Sequence, residues 1–337
     1  MRVLVTGASG FVGRPLVERL AAGGADVTAL VAPDDDAGAS ALAERGVRVV
    51  RGDVAVRGDL DAAVAGSEVV YHLAGLVGAR RARRDDYARV NVQGTRNVAE
   101  AASAARAAHL VHVSTVGVHG NPARATADET APFAPLNAYQ GSKLAAESEI
   151  RRVVRDHGLS ATIARLTTLY GPGDRRALPL FRDVARGRIV VVGDGRLPYQ
   201  MTHVADAVTA LLRCGERRRD PGEAFFVGSD ERTTVGAIID LVARAVGTSP
   251  RIVRLPRLPV ALAWRAQRRL VRALARGDRG IASLPVPGLF DRLDFFLAAR
   301  TWDVSKAERE LGFLAAVPLS RGIAETARWY RDRGWLS

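Results

Sequence analysis

Short apolar runs recur along the first half of the chain, at residues 2–6, 27–31, 47–50, 68–73, 110–114 and 160–166. Each has the length of a strand. Patterns with a helical repeat follow several of them, from the glycines at 7–13 through residue 20, over 87–108 and over 138–157. Strands that alternate with helices predict an α/β chain built on a doubly wound parallel sheet. The rhythm breaks at Tyr170-Gly171-Pro172-Gly173-Asp174, where two glycines and a proline mark a boundary. Beyond it the pattern is less regular, with Gly193-Asp194-Gly195 and then a strand and helix around His203-Val204-Ala205-Asp206. The expected organisation is a unit over 1–170, with strand and helix returns near 200–245. A smaller, mostly helical lobe over 171–337, placed around these motifs and in 247–300, is expected to hold the substrate. A chain of 337 residues suits one domain plus such a lobe.

The first strand runs into Gly7-Ala8-Ser9-Gly10-Phe11-Val12-Gly13 and then a helical pattern. Strand, glycine turn and helix in this order form the start of a Rossmann βαβ unit. Glycines allow close approach of backbone to a pyrophosphate, and the helix N-terminus offers free N–H groups and a positive dipole end. At the end of the second strand, where an acid or an arginine selects the cofactor, stands Ala32-Pro33-Asp34-Asp35-Asp36. Asp34, about 20 residues past the last glycine, is placed to reach a ribose. Three acids would repel a 2′-phosphate, so NAD is expected over NADP, which stays open; an acidic turn with a helix cap explains the same residues. Gly52-Asp53-Val54 after the third strand puts Asp53 where an adenine amino group would lie. Ala74-Gly75 after the fourth leaves room for a cofactor across the strand ends. Asn91, in the helix pattern that follows, is expected to brace the backbone.

Tyr139 and Lys143 stand four residues apart, on one face of the helix over 138–157. A neighbouring ammonium favours a phenolate, so this spacing predicts a tyrosine pKa below its usual value of about 10 and a proton donor and acceptor usable near neutrality. Lys143 and Lys306 are the only lysines among 49 basic residues, so the pairing is not a by-product of composition. A compact ammonium can touch a ribose hydroxyl in a way that arginine's planar fork does not reproduce. Thr115, at the carboxyl end of the fifth strand, is expected near Tyr139 and able to hold a substrate oxygen. A strand-end threonine that caps a turn is the plainer alternative.

Composition adds exclusions. No stretch approaches the roughly 18 uninterrupted apolar residues of a membrane span. The first strand begins at the N-terminus, so no signal peptide is expected. The single cysteine, Cys214, forms no internal disulfide and suits a reducing cytoplasm. No metal site is expected among the six histidines; His109 and His112 fall on opposite faces of a strand. The net charge of +13 raises the question of a nucleic-acid partner. Arginines run along the chain with few aromatics between them, which reads as a solvated surface rather than a nucleic-acid site.

Together these motifs resemble the extended short-chain dehydrogenase/reductase family, within the NAD-dependent epimerase/dehydratase superfamily. The match runs nearly end to end: Thr6-Gly7-x-x-Gly10-x-x-Gly13, Gly52-Asp53, Leu73-Ala74-Gly75, Asn91-Val92-x-Gly94-Thr95, Val113-Ser114-Thr115, Tyr139-x-x-x-Lys143, Arg165 through Gly173, and His203-Val204-x-Asp206. The resemblance implies that Tyr139 is the general acid/base, that Lys143 binds the nicotinamide ribose and that Thr115 completes the triad. It also implies cofactor contacts from Gly7, Gly10, Phe11, Val12, Gly13, Asp53, Val54, Leu73, Ala74, Gly75, Asn91, Leu166 and Thr168, and a homodimer formed through the helices at 84–107 and 138–157.

Nucleotide-sugar members usually carry an arginine four residues before the histidine of the His-Val-x-Asp segment; here that residue is Tyr199, with Arg196 displaced nearby. The bacterial 3β-hydroxysteroid dehydrogenase-like branch is more similar in the C-terminal part, from Leu258-Pro259-Val260 through Trp302-Asp303-x-Ser305-Lys306 to Trp329-Tyr330. This implies hydride transfer between the cofactor and a secondary alcohol or ketone of an apolar, steroid-like or polyketide-like substrate. A nucleotide-sugar epimerase or dehydratase and a non-catalytic cofactor-binding scaffold are the alternatives. Leu255 to Trp264, with Phe290, Phe295 and Phe296, is expected to line an apolar wall. Between Leu258 and Arg276, arginines at 265, 269, 272 and 276 form a stripe opposite Val260, Trp264, Val271 and Leu274. The segment is read as a lid helix over the substrate cleft in preference to a membrane-surface contact.

Overall fold

A computed structural model describes residues 1–78, 82–121, 126–217, 219–274, 296–297 and 301–336, for 267–274 the backbone only. Seven strands make one parallel sheet: β1 (Arg2–Thr6), β2 (Asp26–Val31), β3 (Arg48–Arg51), β4 (Val69–His72), β5 (His109–Thr115), β6 (Ala161–Leu166) and, far along the chain, a strand at Pro221–Val227. The spatial order is Pro221–Val227, β6, β5, β4, β1, β2, β3. The order reverses between β1 and β4, which is where an open α/β sheet forms its crevice. Helices cover both faces, so β4 and β6 are buried along their whole length.

On one face lie α1 (Gly13–Ala22), packing Leu16, Val17 and Leu20, and a later helix at Val204–Glu216, packing Val208 and Leu211. The helix α2 (Asp36–Ala43) joins them through Leu42. The other face is covered by α3 (Gly58–Val64) and by two helices that enclose the sequence motifs. The predicted helix over 87–108 is instead composite: α4 (Arg84–Tyr87), a π-helical turn at Ala88–Gln93, and α5 (Gly94–Ala104). It runs beside α6 (Ala138–His157), to which Arg96 is joined through Glu149 at 2.7 and 3.0 Å.

The remaining elements are β7 (Leu169–Tyr170), α7 (Leu178–Ala185), β8 (Arg188–Val192), β9 (Pro198–Gln200), β10 (Thr202–His203), α8 (the helix Val204–Glu216), β11 (the strand Pro221–Val227), β12 (Arg232–Thr234), α9 (Val235–Val246), β13 (Arg251–Leu255), α10 (Arg257–Leu274), α11 (Ser305–Leu311) and α12 (Leu319–Asp332). The short strands pair two by two, β7 with β10, β9 with β12 and β8 with β13. A separate core forms here from Phe181, Val184, Ile189, Tyr199, Ile238, Val242, Ile323 and Tyr330. Asp206, on α8, accepts the Ala316 and Val317 N–H groups at 2.9 and 3.2 Å, and so fixes the approach to α12. No helix among the described residues is long and apolar enough to cross a membrane.

Candidate active site

Gly7 is held at φ = +66°, and a Cβ there would lie 2.7 Å from the backbone nitrogen of Ala74. A Cβ at Gly13 would lie 2.1 Å from the Gly7 carbonyl oxygen. Only glycine lets the turn fold this tightly against the end of β4. Val12 contributes no side-chain cap to α1, and the positive dipole end of that helix opens onto the cradle, with the Arg14 N–H turned back to the Gly10 carbonyl at 3.0 Å. A pyrophosphate fits such a cradle. Phe11 is half-buried on the first core cluster, and Gly10 is exposed.

Behind the cradle a hydrogen-bonded chain crosses the sheet. Thr6 Oγ1 accepts the Ala74 N–H and bonds His72 Nδ1 at 2.8 Å; His72 Nε2 bonds Thr95 Oγ1 at 2.9 Å; Thr95 Oγ1 donates to the Asn91 carbonyl at 2.6 Å. These partners require His72 to carry its proton on Nε2. Burial, helped by the charge of Lys143, lowers its pKa to about 3. Asn91 is fully buried in the π-helical turn. Its Oδ1 accepts the Leu76 N–H at 2.7 Å, and its Nδ2 donates to the Leu76 carbonyl and to Ser142 Oγ. Ser142 Oγ in turn donates to the Tyr139 carbonyl at 2.7 Å. The segment after β4 and the first turn of α6 are thereby held at a fixed separation. The π turn, a form common at functional sites, offsets the helix where Asn91 makes these bonds.

Asn137 caps α6, its Oδ1 accepting the Gln140 N–H at 2.9 Å. Tyr139 follows in the first turn, its ring 6.4 Å from that of Tyr87. The expected depression of the tyrosine pKa is absent from this chain alone: burial raises it to about 12, the charge of Arg176 lowers it and Tyr87 adds to the rise. Lys143 is 5% exposed, and its charge acts on His72 and His112. Burial brings its own pKa down to about 8 against the upward pull of Glu147. For Tyr139, desolvation of the phenolate outweighs the charge of Arg176.

Thr115 ends β5, and its Oγ1 accepts the Gly117 N–H at 3.1 Å. A Cβ at Gly117 would lie 3.0 Å from Gln140 Nε2, so this turn sits against the first turn of α6, close to Tyr139. Ser114 beside it donates to Glu147 at 2.7 Å. Glu147 is fully buried and takes two further N–H groups from Arg165, at 2.6 and 2.9 Å. Arg165 also bonds His119 Nε2 at 3.0 Å, while His119 Nδ1 donates to the Ala131 carbonyl at 2.7 Å. Burial acts to raise the Glu147 pKa, but Arg165, Ser114 and Arg151 outweigh it and hold the carboxyl below its usual value. This buried assembly underlies Thr115 and α6, and nothing in the local sequence pattern announced it.

Other expected positions lie differently. Asp35, not Asp34, engages α2, accepting the Gly38 N–H at 2.9 Å; Asp36 pairs with Arg51 at 2.8 Å, and Arg51 also donates to the Pro33 carbonyl. Asp53 is held by the Ala55 N–H at 2.9 Å and by Arg89 at 2.6 Å. Val54 is buried against Gly94, Leu73 is half-buried and Gly75 faces Asn91 Oδ1. Leu166 closes β6, and the Thr168 carbonyl accepts the Thr202 N–H at 2.9 Å. Tyr199 is a core residue of the lobe at 2% exposure, and Arg196 is exposed beside Asp194. Arg175 stacks on Trp335, whereas Arg176 lies 5.8 Å over Phe11. Leu258 and Leu262 face outward rather than lining an enclosed wall. Phe296 is half-buried on the lobe core; Phe290, Phe295, Arg276 and the side chains of Arg269, Val271, Arg272 and Leu274 lie outside the described residues.

A parallel sheet with a glycine cradle at its switch point and a tyrosine–lysine helix beside it defines an NAD-dependent enzyme of the extended short-chain dehydrogenase/reductase type. The chain belongs to the NAD dependent epimerase/dehydratase family, whose model matches residues 3–228. It is 33% identical to a ceramide reductase of Caulobacter vibrioides, over 99% of this chain and 96% of the relative. A dTDP-glucose 4,6-dehydratase of Streptomyces niveus is 30% identical, over 99% and 94%. Among solved structures, MoeE5 in complex with UDP-glucuronic acid and NAD superposes with a TM-score of 0.74 at 28% identity, covering 99% of this chain and all of that one. Reductases, dehydratases and epimerases thus stand among its relatives.

Proposed function

We propose that the protein transfers hydride reversibly between NAD(H) and the secondary alcohol or ketone of an apolar substrate. The observation that carries this reading is Tyr199. Where nucleotide-sugar members place an arginine, this chain has a tyrosine buried in the lobe core, and the nearby Arg196 is 89% exposed on its side chain. A diphosphate enclosed without a charge-assisted partner is costly to desolvate. The similarity to a protein named a ceramide reductase supports the same class of substrate.

NAD supplies the hydride acceptor, or in reduced form the donor, and the glycine cradle with the α1 N-terminus would hold its pyrophosphate. Tyr139 moves the proton at the substrate oxygen. With its pKa near 12 the phenol is protonated, the form that serves ketone reduction as a general acid. Thr115 already accepts the Gly117 N–H, which leaves its own O–H free to orient the same oxygen. Lys143 holds the nicotinamide ribose and carries the positive charge of the site. Asn91 positions both strand end and helix.

Arg176 favours a second reading. It stands over Phe11 of the cradle, acts on Tyr139, and its side chain is 60% exposed and able to turn toward a ligand anion. That would suit a nucleotide-sugar epimerase or dehydratase, and MoeE5 was solved with such a ligand. Calorimetry with UDP and dTDP, NAD being present, separates the two. Micromolar binding that Arg176→Ala abolishes moves the protein to the nucleotide-sugar class; no binding, with NAD reduced by an apolar secondary alcohol, supports the proposal.

A further inference from the structure

Helix α10 turns an apolar stripe outward. Leu258 and Leu262, one turn apart, are 70% and 53% exposed. Pro259, Ala263 and Ala266 are exposed beside them. The half-buried positions, Val260, Ala261 and Trp264, fall on the opposite side of the helical repeat and face the protein. Leu255 extends the exposed stripe at 39%. Single exposed leucines need no explanation, whereas a contiguous stripe marks an interaction surface.

The charge on α10 and the strand before it is one-signed in sequence, with Asp194 and Asp240 the acids near Arg254. Arg257 and Arg265 border the stripe, and Arg251 and Arg254 of β13 are exposed next to it. Between Asp240 and Asp278 the sequence carries nine arginines and no aspartate or glutamate, against +13 for the whole chain. In sequence, this stretch therefore holds an excess of nine positive charges.

We propose that α10 docks the protein on an anionic lipid surface, with Leu258 and Leu262 in the acyl boundary and the flanking arginines among the phosphates. Leucines outward with cations at the rim is the arrangement of a helix that lies in a membrane interface. A nucleic acid would engage the arginines but leave the leucines in water. The inference goes beyond the reaction proposed above and does not depend on it.

Sedimentation with vesicles tests this. Two preparations are compared, phosphatidylcholine alone and a mixture with roughly one-third phosphatidylglycerol. The intact chain is expected to sediment with the second and not the first, less so at high salt. Leu258→Ser with Leu262→Ser should weaken binding by about tenfold or more for each leucine. Arg257→Gln with Arg265→Gln should weaken it by roughly 30-fold. An unchanged rise in melting temperature with NAD shows that each variant is folded, and Leu258→Gln alone serves if a double variant is not. No sedimentation with anionic vesicles overturns the proposal. So does full binding by the leucine variants, which would mean adsorption of a polycation only. Binding of duplex DNA that the arginine variants abolish, without vesicle binding, would assign the surface to nucleic acid instead.

Discussion

Replacing Arg165 by Met strands a carboxylate. Glu147 is fully buried, and Arg165, itself 1% exposed, donates two of its hydrogen bonds. Met fills the space without a charge, so Glu147 keeps Ser114 and the longer contacts from Arg151 at 3.3 Å. Breaking a buried pair from one side costs about 3–5 kcal/mol, since the remaining charge is left unpaired. Removing both charges, with Arg165→Met and Glu147→Leu together, should cost less than either single change, although Ser114 and His119 then lose partners. Urea denaturation at pH 7 reads these differences. The pH dependence supplies the sign. Glu147 is held below its usual pKa in the folded protein, so its contribution is present above the unfolded value of about 4.3 and is lost as pH falls through the lower folded value. In Arg165→Met, burial acts with less opposition and pushes the carboxyl up. The gap between the two proteins should therefore narrow as pH is lowered through the carboxylate range. A single variant within about 1 kcal/mol of the parent, or a gap that ignores pH, refutes the assignment of this pair as a buried charge couple.

Three further outcomes are expected. Tyr139→Phe should leave NAD affinity intact and lower turnover by about 10²–10⁴, measured by steady-state kinetics with a substrate found as above; unchanged turnover in a folded variant removes Tyr139 from the chemistry. Gly13→Ala should weaken NAD by about 100-fold in titration calorimetry, because its Cβ would stand 2.1 Å from a backbone oxygen that cannot rotate away, whereas Gly10→Ala, with one contact at 3.1 Å, should be milder; the reverse order would mean the cradle does not hold the cofactor. Asp36→Ala frees the Arg51 guanidinium from its 2.8 Å partner, and NADP affinity should rise by up to about tenfold relative to NAD; no change would place Arg51 away from the ribose.

Much of this architecture is legible in local pattern. The glycine turn, the apolar runs and the Tyr139–Lys143 spacing involve residues close in sequence, and the strands and α6 appear where the periodicity puts them. Features that depend on distant partners are not legible. Arg165 and Glu147 are 18 positions apart and His119 lies 46 from Arg165, so no spacing rule joins them. The π turn at Asn91 answers to Leu76 and Ser142, and its residues read as ordinary helix. The Asp34–Asp36 run is ambiguous because a ribose contact and a helix cap call for the same acids; Asp35 caps α2, and Asp36 pairs with Arg51, a partner 15 positions away that no local pattern shows. The tyrosine pKa is not legible for a further reason: spacing shows which charges are neighbours, but not how much water the phenol has lost.

The loop after β7 carries Arg176 and is tied down by Asp174, whose carbonyl accepts the Tyr330 hydroxyl from α12, 156 residues later. Gly322 of the same helix lets Tyr170 and His203 approach so closely that a Cβ would meet the Tyr170 oxygen, and Glu231 accepts the Leu319 N–H at its start. A chain still lacking residue 330 would have the strands of the sheet as far as β6 but not the contacts that anchor the loop bearing Arg176, so α12 sets the shape of that loop from a distance.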